Sequence, residues 1–237
     1  MVARKNHSLG AGKGHDKDPS TSTASKPGNT TSSADPSPEP IYFWQSTEPE
    51  TGFLSQWYQA PFRDRTDPSI IYLTAEHYMM YQKAVLFDDP VIGARILAAE
   101  HPREVKALGR VVAHFDASVW ERERMRIVRD ATWYKFSLPS DLHSSSISAK
   151  EGGSNNSKEE TSKGREKEEG ETNLREALLA TGDRPLVEAS PHDRTWGIGF
   201  KAADAERNRR RWGFNLLGKC LMEVREQLRS EGQGSGV

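Results

Sequence analysis

Apolar residues crowd into two blocks of the chain, at about 41–138 and 172–229, and nearly vanish between and around them. In the first block, Ile41 to Trp44 and Ile70 to Leu73 are β-branched and aromatic runs that predict short strands. A helix follows at about 74–86, with Thr74 as its cap and Glu76 in the first turn, where the helix dipole favours a carboxylate. Asp89 as cap and Pro90 at the first helical position open another at about 90–100. Pro102 starts a third, to about Val111. Asp116 caps a longer one to about Tyr134, in which Trp120, Ile127, Val128 and Ala131 are spaced to face inward. In the second block, Leu174 to Ala180 predicts a short helix stopped by Gly182, and Arg184 to Ala189 a strand. A last helix at 215–229 has Asn215 as cap and an apolar stripe at Leu217, Leu221, Val224 and Leu228. The expected class is α+β: a predominantly helical single domain with a small β-sheet.

The polar stretches set the organisation. Residues 1–39 are Ser, Thr, Gly, Pro, Lys and Asp with almost no large apolar side chain, and such a segment cannot bury enough surface to offset its ordering entropy. It is expected to be a disordered tail. A second polar segment at about 139–172 has no aromatic in its centre and reads as a disordered insertion, because neither flanking block is complete alone. One domain at 40–229 and a short tail at 230–237 complete the expected layout. The two blocks total about 155 residues, an ordinary size for one domain, and they hold all six tryptophans.

Composition narrows the setting. The net charge of the 237 residues is −1, so no overall basic field recruits nucleic acid or an anionic membrane, although a local basic cleft remains compatible with it. The single cysteine, Cys220, rules out an intramolecular disulfide and a multi-cysteine metal site. There is no apolar leader at the N-terminus and no run near the ~20 apolar residues a membrane span needs. An intracellular location is expected, in the cytoplasm, with the nucleus left open.

Candidate chemistry concentrates in two places. Glu76 and Lys83 lie seven residues apart and so share one face of an otherwise aromatic and Met-rich helix. The plain reading is a capped amphipathic helix with a solvated edge; the sharper one is a site that handles protons and an anion. The second place is the run from Pro191 to Gly199, polar, aromatic and glycine-bearing between regular elements, which is where a rigid scaffold presents functional groups. Its plain reading is a turn in which Asp193 bonds its own backbone and Trp196 packs. Trp120 on an apolar face reads first as core. His77, His101, His114 and His192 lack metal-ligand spacing, and neither a Walker loop nor a nucleophile elbow is present.

Several motifs in order carry a resemblance. They are Gly52 to Tyr58, Thr74 to Ala84, Ala107 to Arg110, Phe115-Asp116 followed by Trp120, Lys135-Phe136, Leu178 to Asp183, Leu186 to Pro191, Asp193 to Gly199, and Trp212 to Gly218. Together they span nearly all of both blocks, and on them the chain resembles the NADAR, or YbiA-like, family of N-glycosidases. The resemblance implies a mostly helical α+β domain that hydrolyses the N-glycosidic bond of ribosylated compounds without a metal or cofactor. Members of the family act on riboflavin-pathway aminopyrimidine ribose phosphates, and others remove ADP-ribose, including from guanine bases. The family's functional acid, tryptophan and second acid correspond to Glu76, Trp120 and Asp193. Many bacterial members have Asn where this chain has Gln56.

Breaking such a bond develops positive charge on the ribose and negative charge on the leaving base, so an acid and a nearby carboxylate are needed. Glu76 is the first choice as acid/base and Asp193 as the group that orients substrate or water; the reverse assignment stays open. Trp120 would stack on the base or wall the ribose. Lys83 and Arg110 are candidates for the phosphate, with His77 and Trp196 as further substrate contacts. The expected partner is a small ribosylated molecule, with nucleic acid only as an ADP-ribosylated substrate and no membrane. A non-catalytic ADP-ribose-binding module is the alternative from another class.

Overall fold

Ile41, Tyr42 and Phe43 form β1 (Ile41–Phe43), which pairs in parallel with β2 (Leu186–Glu188) in the register Ile41 to Leu186, Tyr42 to Val187 and Phe43 to Glu188. A parallel pair needs a long crossover, and among the described residues five α-helices lie between the two strands. They are α1 (Ala75–Leu86), α2 (Pro90–Ala98), α3 (Pro102–Gly109), α4 (Ala117–Ser137) and α5 (Leu174–Ala180). The chain then runs through α6 (Ala202–Ala205) and a 3-10 turn at Glu206–Arg211 into α7 (Leu216–Gly234). These elements come from a computed structural model that describes residues 38–137 and 173–234. The tail expected at 1–39 lies almost wholly outside the described residues, as does the insertion expected at about 139–172.

Helix α1 is the hub, packing against α2, α3 and α4, while α7 backs onto α4, α5 and β2. Its position follows from its sequence: Ala75, Tyr78, Met79, Met80 and Ala84 are all buried, so apolar surface wraps most of the helix. Tyr78 also meets Phe62, Tyr72 and Tyr134 in an aromatic cluster under α4. The stripe Leu217, Leu221, Val224 and Leu228 on α7 is fully buried, as its spacing predicts. Cys220 is buried among it, and burial pushes its thiol up to about 12, so it stays a small core hydrophobe. Among the described residues no helix is long and apolar enough to cross a membrane.

Two local expectations fail for identifiable reasons. The strand expected at Ile70 to Leu73 reduces to one isolated antiparallel bridge between Phe62 and Tyr72. Its partner segment cannot extend the ladder. Pro61 carries no N–H, and beyond Phe62 the Asp64 carboxylate draws in the N–H groups of Thr66 and Asp67 and the Tyr72 hydroxyl, turning the chain away. Asn215 does not cap α7 with its side chain. It sits at φ 50°, and its amide staples β2 instead: Oδ1 accepts from the Glu188 N–H at 2.9 Å and Nδ2 donates to the Leu186 carbonyl at 2.9 Å. The first N–H groups of α7 are met by loop carbonyls, Leu216 donating to Thr195 and Leu217 to Trp196. The helix also continues to Gly234, past its expected end near 229.

Candidate active site

The parallel strand pair places the site. Trp44, Gln45 and Ser46 leave β1, Glu188 ends β2 and Ser190 follows it; all line one cleft of about 890 Å³. Crevices outside the carboxyl ends of parallel strands are where ligands collect, because the connections diverge there. Four helices, the segment at 55–57 and the loop at 190–196 form most of the rest of the wall.

From α1 comes Glu76, 4% exposed. The Thr74 hydroxyl accepts from the His77 N–H and sets the start of the helix, and the Glu76 N–H donates to the Gln56 carbonyl at 3.1 Å. That second bond ties Glu76 to the segment Ser55-Gln56-Trp57, which also lines the cleft. The segment is held from behind by Lys135, whose buried ammonium donates to the Phe53 and Ser55 carbonyls at 2.7 and 2.8 Å. Burial pulls the Lys135 ammonium down to about 7.

From α3 comes a stripe of Arg103, Lys106 and Arg110 at three- and four-residue spacing, and from α4 come Trp120 and Arg124, one turn apart on one face. The loop at 190–196 supplies Ser190, His192, Asp193, Arg194, Thr195 and Trp196. Asp193 folds that loop. Its Oδ1 accepts from the Thr195 N–H at 2.8 Å and the Trp196 N–H at 2.7 Å, so the turn expected from the sequence is present. The loop closes against β2 through the Ile198 N–H, which donates to the Glu188 carbonyl at 2.9 Å. Only glycine fits at 197, where a Cβ would stand 2.6 Å from that same carbonyl oxygen. The close approach brings the acid of the loop and the acid of the strand to one cleft.

Burial pushes the Glu76 carboxyl up to about 7; Lys106 and a hydrogen bond from Trp57 oppose the shift, and the negative charge of Asp193 adds to it. Burial likewise raises Glu188, to about 8, with Asp193 and Glu76 pushing the same way and Lys106 opposing. Two carboxyls therefore hold protons near neutrality, inside a wall that also carries Arg103, Lys106, Arg110, Arg124 and Arg194. The cleft as a whole is basic at pH 7.

Of the residues singled out from the sequence, Glu76, Trp120, Asp193, Arg110 and Trp196 line this one cleft. Lys83 and His77 are not among the lining residues. Lys83 donates to the Gly109 carbonyl at 2.6 Å and sits 4.2 Å from the centre of the Phe115 ring and 5.4 Å from that of Trp120. It clamps α1 to the end of α3 and supports Trp120 from below. Both ring nitrogens of His77 are engaged, Nδ1 with the Thr74 hydroxyl at 2.8 Å and Nε2 with the Ala99 carbonyl at 3.0 Å. Burial lowers its basicity. These two residues are parts of the scaffold.

Sequence reasoning did not single out Glu188, Gln56, Lys106 or Arg124 as site residues. The helical ones had a signal: Lys106 lies one turn before Arg110, and Arg124 one turn after Trp120. Gln56 stood out only as a departure from the Asn of many bacterial members and Glu188 not at all; the parallel pairing and the bond between Gln56 and Glu76 bring them in.

Comparison with known proteins fits this architecture. Residues 42–229 match the NADAR domain. An N-glycosidase of Acanthamoeba polyphaga mimivirus is 31% identical over 193 residues, which covers 79% of this chain and 95% of that protein. A riboflavin biosynthesis protein of Vibrio vulnificus is 29% identical over 190 residues, 80% of this chain but 39% of that longer protein. The NMR structure of the Escherichia coli protein YbiA superposes with a TM-score of 0.55 at 24% identity, covering 83% of this chain and 89% of YbiA, and shows the same fold. The match to the domain across both ordered blocks, together with a relative of 31% identity covered almost end to end, means that the chain belongs to the NADAR family.

Proposed function

We propose that this cleft hydrolyses the N-glycosidic bond of a ribosylated, phosphate-bearing compound, with Glu76 as the general acid. One observation carries the reading. Among the described residues, six buried side-chain N or O atoms have no hydrogen-bond partner, and five belong to cleft residues: Gln56 Nε2 and Oε1, Glu76 Oε1, Arg124 Nε and Glu188 Oε2. Buried polar groups are normally paired, because leaving one unmet costs about 1–3 kcal/mol. Such a cluster is stable ground for a polar ligand that pairs with it. Kinship with a named N-glycosidase over most of its length makes N-glycosidic hydrolysis the activity of this chain.

The chemistry follows from the charges. Glu76 holds a proton near neutrality and is nearly buried at the cleft wall, so it donates to the leaving nitrogen as the C1′–N bond breaks and the bonding pair moves to that nitrogen. The sugar ring then carries positive charge, which the Asp193 carboxylate offsets. Water adds to C1′, its surplus proton passes to Asp193 and on to solvent, and Glu76 is recharged from solvent. Trp120 walls the pocket as an aromatic surface for the base. Arg103, Lys106 and Arg110 form the side of the cleft that suits phosphate, with arginine able to pair two phosphate oxygens at once.

Within this class, the volume of about 890 Å³ and five cationic side chains accommodate either a ribose 5-phosphate joined to an aminopyrimidine or a larger ADP-ribosyl nucleotide. The Vibrio relative, named for riboflavin biosynthesis, favours the first. The test is to incubate the protein with an aminopyrimidine ribosylamine 5′-phosphate and, separately, with ADP-ribosylated guanine nucleotide, and to follow free base and free sugar by mass spectrometry. Release from the first supports the leading reading, and release from the second alone supports the ADP-ribosyl one. Release from neither, by folded protein, defeats both.

A further inference from the structure

Gln56 is 8% exposed, and neither its amide nitrogen nor its amide oxygen has a partner. A buried amide left wholly unpaired is unusual, since it forgoes both a donor and an acceptor interaction. Turning the amide over changes nothing, because either orientation presents one donor beside one acceptor. The side chain lines the cleft, so the unmet pair faces the space a ligand fills.

The neighbourhood limits what that ligand group is. Phosphate offers acceptors only and would leave Gln56 Oε1 unmet while crowding the Glu76 and Glu188 carboxyls; it belongs with Arg103, Lys106 and Arg110. Gln56 is instead tied by its own carbonyl to the backbone of Glu76, the acid that meets the leaving nitrogen. A ribose hydroxyl also offers a donor and an acceptor, but this tie sets Gln56 beside the leaving nitrogen and favours the leaving base as the group opposite it. A planar group with a C=O next to an N–H, the lactam edge of a heterocycle, meets both atoms of the amide at once. Glu188 Oε2, also unpaired, is a further acceptor or donor for an exocyclic amino group on the same edge.

Building on the N-glycosidase reading, we propose that Gln56 is the residue that selects the leaving base, pairing its amide with the lactam edge of a 2-amino-4-oxo pyrimidine or the equivalent edge of guanine. Glu188 receives the 2-amino group. Trp120 supplies the face of the pocket, and Gln56 reads the edge.

The experiment compares two probes, an aminopyrimidine ribosylamine 5′-phosphate with a 2-amino-4-oxo edge and its N3-methyl counterpart, in which the C=O stays but the N–H beside it is gone. Wild-type protein is expected to prefer the N–H compound by about 10- to 100-fold in kcat/KM, the range expected when buried polar groups are left unmet. Gln56→Met keeps the shape but removes both polar atoms, and should bring that preference to within about threefold of unity, chiefly by slowing the N–H compound. Gln56→Leu removes the same two polar atoms with a different side-chain shape and should lower the preference in the same way; it is informative even where Gln56→Met folds poorly. Retention of the wild-type preference by either folded variant overturns the proposal. Turnover of neither probe by wild-type protein would strike the aminopyrimidine reading of the substrate, and is distinguished from failure of the base-selection idea, which leaves turnover intact and preference unchanged.

Discussion

Glu76 and His77 are neighbours in the first turn of one helix, both buried, and they teach opposite lessons. His77 has used its hydrogen-bonding capacity: each ring nitrogen has a protein partner, on Thr74 and on Ala99. Glu76 has not, since Oε1 faces the cleft without one. Burial alone therefore marks nothing. Around this cleft, what separates scaffold from site is hydrogen-bonding capacity left unused, and the same test sorts Lys83 and Lys135, both engaged with backbone carbonyls, from Arg124, Gln56 and Glu188.

The contrast can be broken from either side, and the largest effect is expected at Glu76. Glu76→Gln should lower kcat by about 10³-fold while the protein stays folded, measured by base release under single-turnover conditions. The same variant should be more stable than wild type in alkali. A raised carboxyl contributes stability that is present below the ordinary carboxylate range and lost as pH rises through its folded value, here about 7. Removing it should raise stability at pH 9 by about 2–3 kcal/mol relative to wild type, with the difference vanishing near pH 4, as read from urea melts at the two pH values.

At His77 the expected pattern is the reverse. His77→Ala should cost about 2–4 kcal/mol of stability, because it removes buried volume and leaves the Ala99 carbonyl unmet, yet turnover per folded molecule should stay within a few-fold of wild type. Thermal melts paired with active-site titration check both halves; a collapse of kcat in the folded fraction would move His77 into the chemistry. A smaller effect separates the two candidate cations. Arg110→Ala should raise KM about tenfold with little change in kcat, and more so at low salt. Lys83→Met should leave KM for the phosphate unchanged and cost about 1 kcal/mol through the lost bond to the Gly109 carbonyl.

Much of this was legible in the chain. Period and capping marked the helices, because Asp89 and Asp116 do accept from the first N–H groups of α2 and α4. The loop turn around Asp193 was legible for the same reason: an aspartate that bonds two residues on is a local event. The failures are non-local. Asn215 looked like a cap because its partner, the backbone of β2, is 27 and 29 residues away. His77 and Lys83 looked like site residues because helix spacing gives a face but not what that face meets. Glu188 was hidden in a strand of three residues whose importance lies in its end, and Gln56 in a segment with no period. For such residues only the fold tells which polar atoms have been left without a partner.

The account rests on Glu76 delivering a proton to the leaving base, and the pH profile of kcat/KM between 5 and 9 tests it most directly, using the aminopyrimidine ribosylamine 5′-phosphate as substrate. The group acts as an acid, so activity should be level while Glu76 keeps its proton and fall about tenfold per pH unit above about 7, with that inflection absent from Glu76→Gln. A profile that stays flat to pH 9, or that rises through 7 as a base would, contradicts it.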